Sequence, residues 1–219
     1  MENRSTEDYI KGIYRLQNGK RSVSTSLLAK HLKIGDGSVT DMLKRLSSKK
    51  FIHYEPYKGV RLTETGKQLA LKMVRRHRLW EMFLIQHLGY EWDEVHDEAE
   101  RLEHVTSDEM EDRIDNILGC PKVDPHGDPI PNKHGELVDI KSSSLSDAAQ
   151  HASVKILRVS DDNAGVLQHA AKLGLTLNKK IIVKEKREFD GSMIIKAGVK
   201  KHFISKQVAD AIFVEVIKK

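Results

Sequence analysis

The feature that most constrains this chain is a change of period. Before residue 119 the apolar residues recur at helical spacing, and after about residue 152 they alternate. Between the two stretches, Pro121, Pro125, Pro129 and Pro131 fall within eleven residues, together with Gly127, Gly135 and the polar run Ser142-Ser143-Ser144. That composition reads as loop or linker. A chain of 219 residues divided in this way carries a helical part and a β part, each large enough for a core of its own.

The helical part opens with Tyr9, Ile10, Ile13, Tyr14 and Leu16 near one face of a first helix. Ser5 or Thr6 is its expected cap, Glu7 and Asp8 lie in its first turn, and Asn18-Gly19 ends it. Ser26–Leu32 predicts a short second helix, and Ile34-Gly35-Asp36-Gly37 a tight connection. Ser38–Leu46 predicts a third helix with Val39, Met42, Leu43 and Leu46 inward. Two alternating runs, Phe51–Glu55 and Val60–Thr63, flank the turn Pro56-Tyr57-Lys58-Gly59. Thr63-Glu64-Thr65-Gly66 caps a long helix to about His87, which Gly89 stops. Acidic helices are expected over Asp93–Val105 and Ser107–Leu118, with an apolar stripe of Val95, Leu102, Met110, Ile114 and Leu118 that predicts pairing with a second copy. In the tail, Val154–Val159, Lys180–Glu185, Ser192–Ile195 and Ala211–Val216 predict strands, with a helix over Gly165–Leu173. A small β-barrel of about 65 residues fits.

Charge follows the same divisions. Residues 1–62 hold 13 Lys/Arg against 6 Asp/Glu, residues 63–118 hold 7 against 14, and residues 119–219 hold 17 against 12. A basic head beside an acidic middle fits an anion-binding and a cation-binding function. No apolar run approaches the ~18 residues of a membrane helix, and the first residues lack the apolar stretch of a signal peptide. Cys120 is the one cysteine, which excludes an internal disulfide and suits the cytoplasm.

Helix, turn, helix, then hairpin is the order of a winged helix-turn-helix, whose reading helix enters the major groove of double-stranded DNA. Ser38 and Thr40 open that helix and are expected at base edges. Lys44, Arg45, Lys49 and Lys50 follow, and Tyr57 and Lys58 tip the wing, where phosphate contacts are expected.

The acidic middle carries a metal-ligand pattern. His77 and Glu81 stand four apart, and His96, Glu100, Glu103 and His104 form one stripe. Two imidazoles and two carboxylates so close repel unless a cation joins them. Nitrogen and oxygen donors without thiolate suit Mn²⁺ or Fe²⁺. The plainer alternative is a solvated acidic face with satisfied histidines.

Together the motifs resemble the diphtheria toxin repressor family, and closely its manganese-responsive members, over nearly the whole chain. The resemblance rests on Glu7–Tyr14, Tyr57–Thr63, Arg76–Leu84, Val95–Asp108 and Pro125–Pro131. It implies a mainly α fold with small β: a winged helix-turn-helix over 1–63, a helical dimerisation and metal-binding domain over 64–140, and an SH3-like β-barrel over 152–219. It implies a repressor that binds operator DNA as a homodimer and controls metal-uptake genes. The implied primary metal position takes Asp8, Glu100, Glu103 and His104, with His77 nearby. An ancillary position takes His77, Glu81 and His96 in the iron-type pattern. In a manganese-type pattern it takes Glu81, Asp124, His126 and Asp161 or Asp162. Hard oxygen ligands favour Mn²⁺, with Fe²⁺ the alternative. The rival class is a metal-dependent hydrolase using His77 and the Glu100/Glu103/His104 cluster. That reading needs an open coordination position and a general base, and no nucleophile motif accompanies it.

Overall fold

In the computed structural model, which describes residues 2–17, 22–92, 94–161 and 163–217, α1 runs over Arg4–Gln17. Its start is held by Asn3, whose Oδ1 accepts from the Thr6 amide at 2.9 Å. The expected caps Ser5 and Thr6 lie one turn too late, since both are already inside the helix. The expected stop at Asn18-Gly19 lies outside the described residues.

Helix α2 (Thr25–Leu32) is capped by Ser24, and α3 spans Asp36–Ser48. Asp36 and Gly37 form the first turn of α3 rather than part of the connection. Strands β1 (Ile52–Glu55) and β2 (Gly59–Leu62) pair antiparallel across the turn, Ile52 opposite Leu62. Ile10, Ile13, Leu28, Val39, Leu43, Leu46 and Val60 form one buried core under these elements.

Thr63 caps the 25-residue α4 (Glu64–Leu88), accepting from the Gly66 amide, and Gly89 ends it at positive φ. Gly66 is required here: a Cβ would stand 2.0 Å from the Phe51 carbonyl oxygen, where the hairpin docks on the helix. Two short helices, α5 (Val95–Leu102) and α6 (Asp108–Ile117), pack on α4. Arg75 and Arg76, both buried, fix α6. Arg75 reaches Glu111 at 2.8 Å and Asp115 at 2.7 Å, and Arg76 reaches Glu111 at 2.9 Å. Buried guanidiniums need such pairing to offset their lost hydration.

The apolar stripe divides in the structure. Val95 and Ile114 are buried in the chain's own core, and Leu102 and Leu118 pack against it. The exposed apolar residues of this region are instead Leu88, Val105, Met110 and Ile117. The expected pairing face was therefore drawn from residues that mostly serve the protomer's interior.

The tail forms a six-stranded antiparallel sheet in the order β3-β8-β4-β5-β6-β7. Its strands are β3 (Ser143–Ser144), β4 (Ser153–Val159), β5 (Lys180–Lys186), β6 (Met193–Ala197), β7 (Lys200–Ile204) and β8 (Ile212–Val216). Helices α7 (Ala164–Lys172) and α8 (Lys206–Ala211) complete it. In backbone pairing the sheet is open, with β3 and β7 as edges, rather than a closed ring. Two register shifts, at Ile156/Arg158 and Val183/Glu185, interrupt the ladders, as bulges do where a sheet bends. The loop carrying His126 docks on this sheet. The Val159 amide donates to the His126 carbonyl at 2.9 Å. Gly127 has φ +91, and a Cβ there would meet the Leu157 carbonyl at 2.0 Å. No described helix is long and apolar enough to cross a membrane.

Candidate metal centre and DNA interface

Helix α1 lies against α4 and presents Glu7, Asp8 and Lys11 towards the acidic middle. Glu7 Oε2 stands 2.8 Å from His104 Nδ1, and Asp8 Oδ1 stands 2.9 Å from His104 Nε2. Asp8 Oδ1 and His104 Nε2 are buried, and neither makes a hydrogen bond. Asp8, Glu100 and His104 each offer one donor atom within 4.8 Å of the others. Burial would lower His104, but its contacts with Asp8 and Glu7 outweigh this and raise its pKa.

Lys11 sits at the centre. Its ammonium donates to both Glu103 oxygens, at 2.6 and 2.7 Å, and to Glu100 Oε2 at 2.7 Å. It also lies 3.3 Å from His77 Nδ1. Glu103 is fully buried, and His77 Nδ1 is 2.5 Å from it. Burial would raise Glu100, but the charge and hydrogen bond of Lys11 bring it down to about 2. The cation demanded by this crowd of carboxylates is therefore supplied by the chain itself. The helical stripe also ends early: α5 stops at Leu102, so Glu103 and His104 sit on the turn beyond it.

A second group lies on the far side of His77. His77 Nε2 is 3.0 Å from Glu81 Oε1 and 3.1 Å from His96 Nδ1. Burial and Lys11 lower His77, while Glu81 and Glu103 raise it and prevail. Glu81 is buried, yet held well below the carboxylate range by His77 and His96. Glu81, His96 and Asp161 share a 4.8 Å cluster, as do His77, His96 and Glu100. Asp161, from the start of the β domain, also pairs with Arg15 of α1 at 3.7 Å. Burial raises Asp161, but Arg15 outweighs it and the carboxyl is lowered.

His126 and Asp124 differ from one another. His126 is 1% exposed, its ring is 5.0 Å from Trp92, and neither ring nitrogen has a partner. Burial lowers its pKa. Glu81 Oε2 is likewise buried without a partner. Asp124 is instead committed to its own loop: Oδ1 accepts from the amides of His126 and Asp128, and Oδ2 is 3.3 Å from Arg78 Nε. It stands outside the three clusters found among the described residues, and Asp162 lies outside those residues.

On the basic head, Ser38, Lys44 and Arg45 are exposed and Thr40 is half-buried. Thr40 Oγ1 donates to the Asp36 carbonyl at 3.0 Å, so its hydroxyl is turned back on the helix. A cleft of about 580 Å³ between α3 and the wing is lined by Thr40, Lys44, Tyr57 and Lys58, with Ser22 and Ser26. Arg45 does not line it. Lys58 pairs with Glu55 at 2.8 Å, Lys49 with Glu2 at 2.5 Å, and Tyr57 is fully exposed at φ +67. Sequence reasoning gave no role to Lys11, Glu7, Ser22 or Ser26. Only Lys11 left a signal, as a charge on a helix face otherwise apolar at Ile10 and Ile13.

Three family models cover the chain in succession. Residues 1–60 match the N-terminal DNA-binding domain of iron-dependent repressors, and residues 63–132 match their metal-binding and dimerisation domain. Residues 143–216 match the FeoA domain. A solved manganese-dependent transcriptional repressor in complex with manganese is 36% identical, with a TM-score of 0.89, over 97% of this chain and 100% of that one. The chain belongs to the diphtheria toxin repressor family of metal-dependent transcriptional repressors. The ScaR repressor with bound Zn²⁺ is 33% identical, with a TM-score of 0.82, over 99% of this chain and 100% of that one. The iron-dependent repressor IdeR of Mycobacterium tuberculosis is 34% identical over 127 residues, covering 58% of this chain and 55% of IdeR. This family regulates transcription and does not catalyse, so the hydrolase reading falls.

Proposed function

We propose that the chain is a Mn²⁺-activated repressor, with Fe²⁺ as the alternative, that binds operator DNA as a homodimer in the cytoplasm and controls metal-uptake genes. One observation carries the metal reading. Asp8 Oδ1 and His104 Nε2 face each other at 2.9 Å, buried and without a hydrogen bond. Orphaned buried polar atoms are costly unless something absent from the protein satisfies them. The donors are carboxylate and imidazole, and exposed Cys120 takes no part, which suits a hard divalent ion.

Asp8, Glu100 and His104 form the primary position in this reading, with Glu103 and His77 behind them. Glu81, His96 and Asp161 form the ancillary one, with His126 completing it and Asp124 shaping the loop. A divalent cation at the primary position would supply charge that both Asp8 and His104 can satisfy. Asp8 then ties α1, and with it residues 1–63, to the helical domain of residues 64–140. Asp161 ties in the domain of residues 152–219. Lys44, Arg45, Tyr57 and Lys58 contact phosphate, and Ser38 and Thr40 face bases. Leu88, Val105, Met110 and Ile117 offer the apolar surface for the second copy.

Fluorescence anisotropy on the DNA upstream of the protein's own coding sequence tests this, with Mn²⁺, anaerobic Fe²⁺, Zn²⁺ or EDTA. Binding with Mn²⁺ that EDTA reverses is the expected result. Equal affinity with and without metal would overturn the sensor reading.

A further inference from the structure

The primary cluster contains more carboxylates than one divalent ion needs. Glu7, Asp8, Glu100 and Glu103 converge on it from α1 and from the end of α5. Glu103 is fully buried, and removing a carboxylate from water costs several kcal/mol unless a cation meets it. Glu100 is offered to two alternative donor groups, one with Asp8 and His104 and the other with His77 and His96. The geometry on the page would therefore allow two cations, one on each side of Glu100. Lys11 Nζ lies between them, within 2.7 Å of three carboxylate oxygens and 3.3 Å from His77 Nδ1, on a side chain only 5% exposed.

We propose that Lys11 is a resident cation of the sensor: it stands in the place of a second divalent ion beside Glu100, reserves Glu103, and limits the primary cluster to one ion. This rests on the metal-sensor reading above. An ammonium has the charge for the task but no coordination demand. It holds α1 against α4 and α5 whether or not metal is present, so α1 is not set loose by metal removal. What metal adds is Asp8. Every group facing Lys11 in the described structure is compatible with that role: Glu100 and Glu103 accept from it, and His77 shares Glu103 with it. Arg15, on the next turn of α1, adds positive charge near Glu100.

The test counts metal. The full-length protein and its Lys11→Met and Lys11→Arg variants are dialysed against Mn²⁺, and bound manganese per chain is measured by mass spectrometry. Melting curves are recorded in EDTA and in Mn²⁺. The Met variant keeps the side-chain volume and removes the charge, leaving Glu100, Glu103 and His77 without their cation. It is expected to bind one ion more per chain than the parent, to melt lower in EDTA, and to recover most of that loss in Mn²⁺. The Arg variant should keep the parent's count. An unchanged count in a folded Met variant, with its melting loss unrelieved by Mn²⁺, overturns the resident-cation role and leaves the metal-sensor reading standing. A Met variant that folds only with Mn²⁺ supports the role. One that stays unfolded in saturating Mn²⁺ while the Arg variant folds overturns it. A parent that binds no Mn²⁺ overturns both readings.

Discussion

The surroundings of Lys11 and of His126 are built from the same residue types and are satisfied in opposite ways. Around Lys11, the carboxylates of Glu100 and Glu103 are met by an ammonium and an imidazole. Around His126, two ring nitrogens and one oxygen of Glu81 are buried with no partner. The first region is held together by the chain's own charges. The second has its shape fixed through the backbone, by Asp124 accepting loop amides and by Gly127 fitting under Leu157, while its donor atoms are left unused. Protein stability and ligand demand are thus separated in space: the fold depends on the Lys11 side, and the His126 side awaits a ligand.

That contrast is open to breakage by substitution, and the largest effect is expected at Lys11. In EDTA, Lys11→Ala should cost about 3–5 kcal/mol, the usual loss when one partner of a buried pair is removed. Urea unfolding monitored by circular dichroism measures it, and a loss under about 1 kcal/mol would show that Glu103 finds other compensation.

The next effect sharpens the other half. Glu81→Ala should reduce the thermal stabilisation given by Mn²⁺ and shift its midpoint on the order of tenfold. Calorimetric titration of the two proteins would show it, and identical isotherms would remove Glu81 from the ancillary position.

His126→Leu is the sharpest contrast with Lys11. Removing a buried imidazole that satisfies nothing should change stability in EDTA by less than about 1 kcal/mol, or raise it, because an unsatisfied buried polar group itself costs about 1–3 kcal/mol. The same change should diminish stabilisation by Mn²⁺. A loss of several kcal/mol in EDTA would mean that His126 has a structural partner.

The smallest effect belongs to the DNA interface. Lys44→Ala or Lys58→Ala should weaken binding to all sequences and reduce the salt slope by roughly one. Lys58 is engaged by Glu55 on an exposed wing, so its contribution should be the smaller. Anisotropy titrations at several salt concentrations would separate the two, and unchanged slopes for both would rule out docking through this cleft.

Much of the architecture was legible because it is written in local periods and caps. Thr63, Ser107 and Gly89 mark helix ends by chemistry that acts within a few residues. Strand β7 was not legible: Lys200-Lys201-His202-Phe203 is too polar to alternate visibly, and only its pairing with β6 makes it a strand. The donors of the candidate site were legible as residue types at helical spacing. How they are shared was not, because Lys11 reaches Glu103 across 92 residues and Arg15 reaches Asp161 from another domain. Asp124 shows the converse: a carboxylate in the right place in sequence, whose oxygens the fold spends on amides and on Arg78.

The central claim is that Asp8 converts metal binding into DNA binding. Operator binding should be followed against free Mn²⁺ for the parent and for Asp8→Ala, which leaves Lys11 in place to hold α1. The account predicts that the variant folds normally and that its activation midpoint moves at least about tenfold to higher Mn²⁺, the loss expected for a ligand at least as important as an outer-shell partner. An activation curve that overlays the parent's would contradict it.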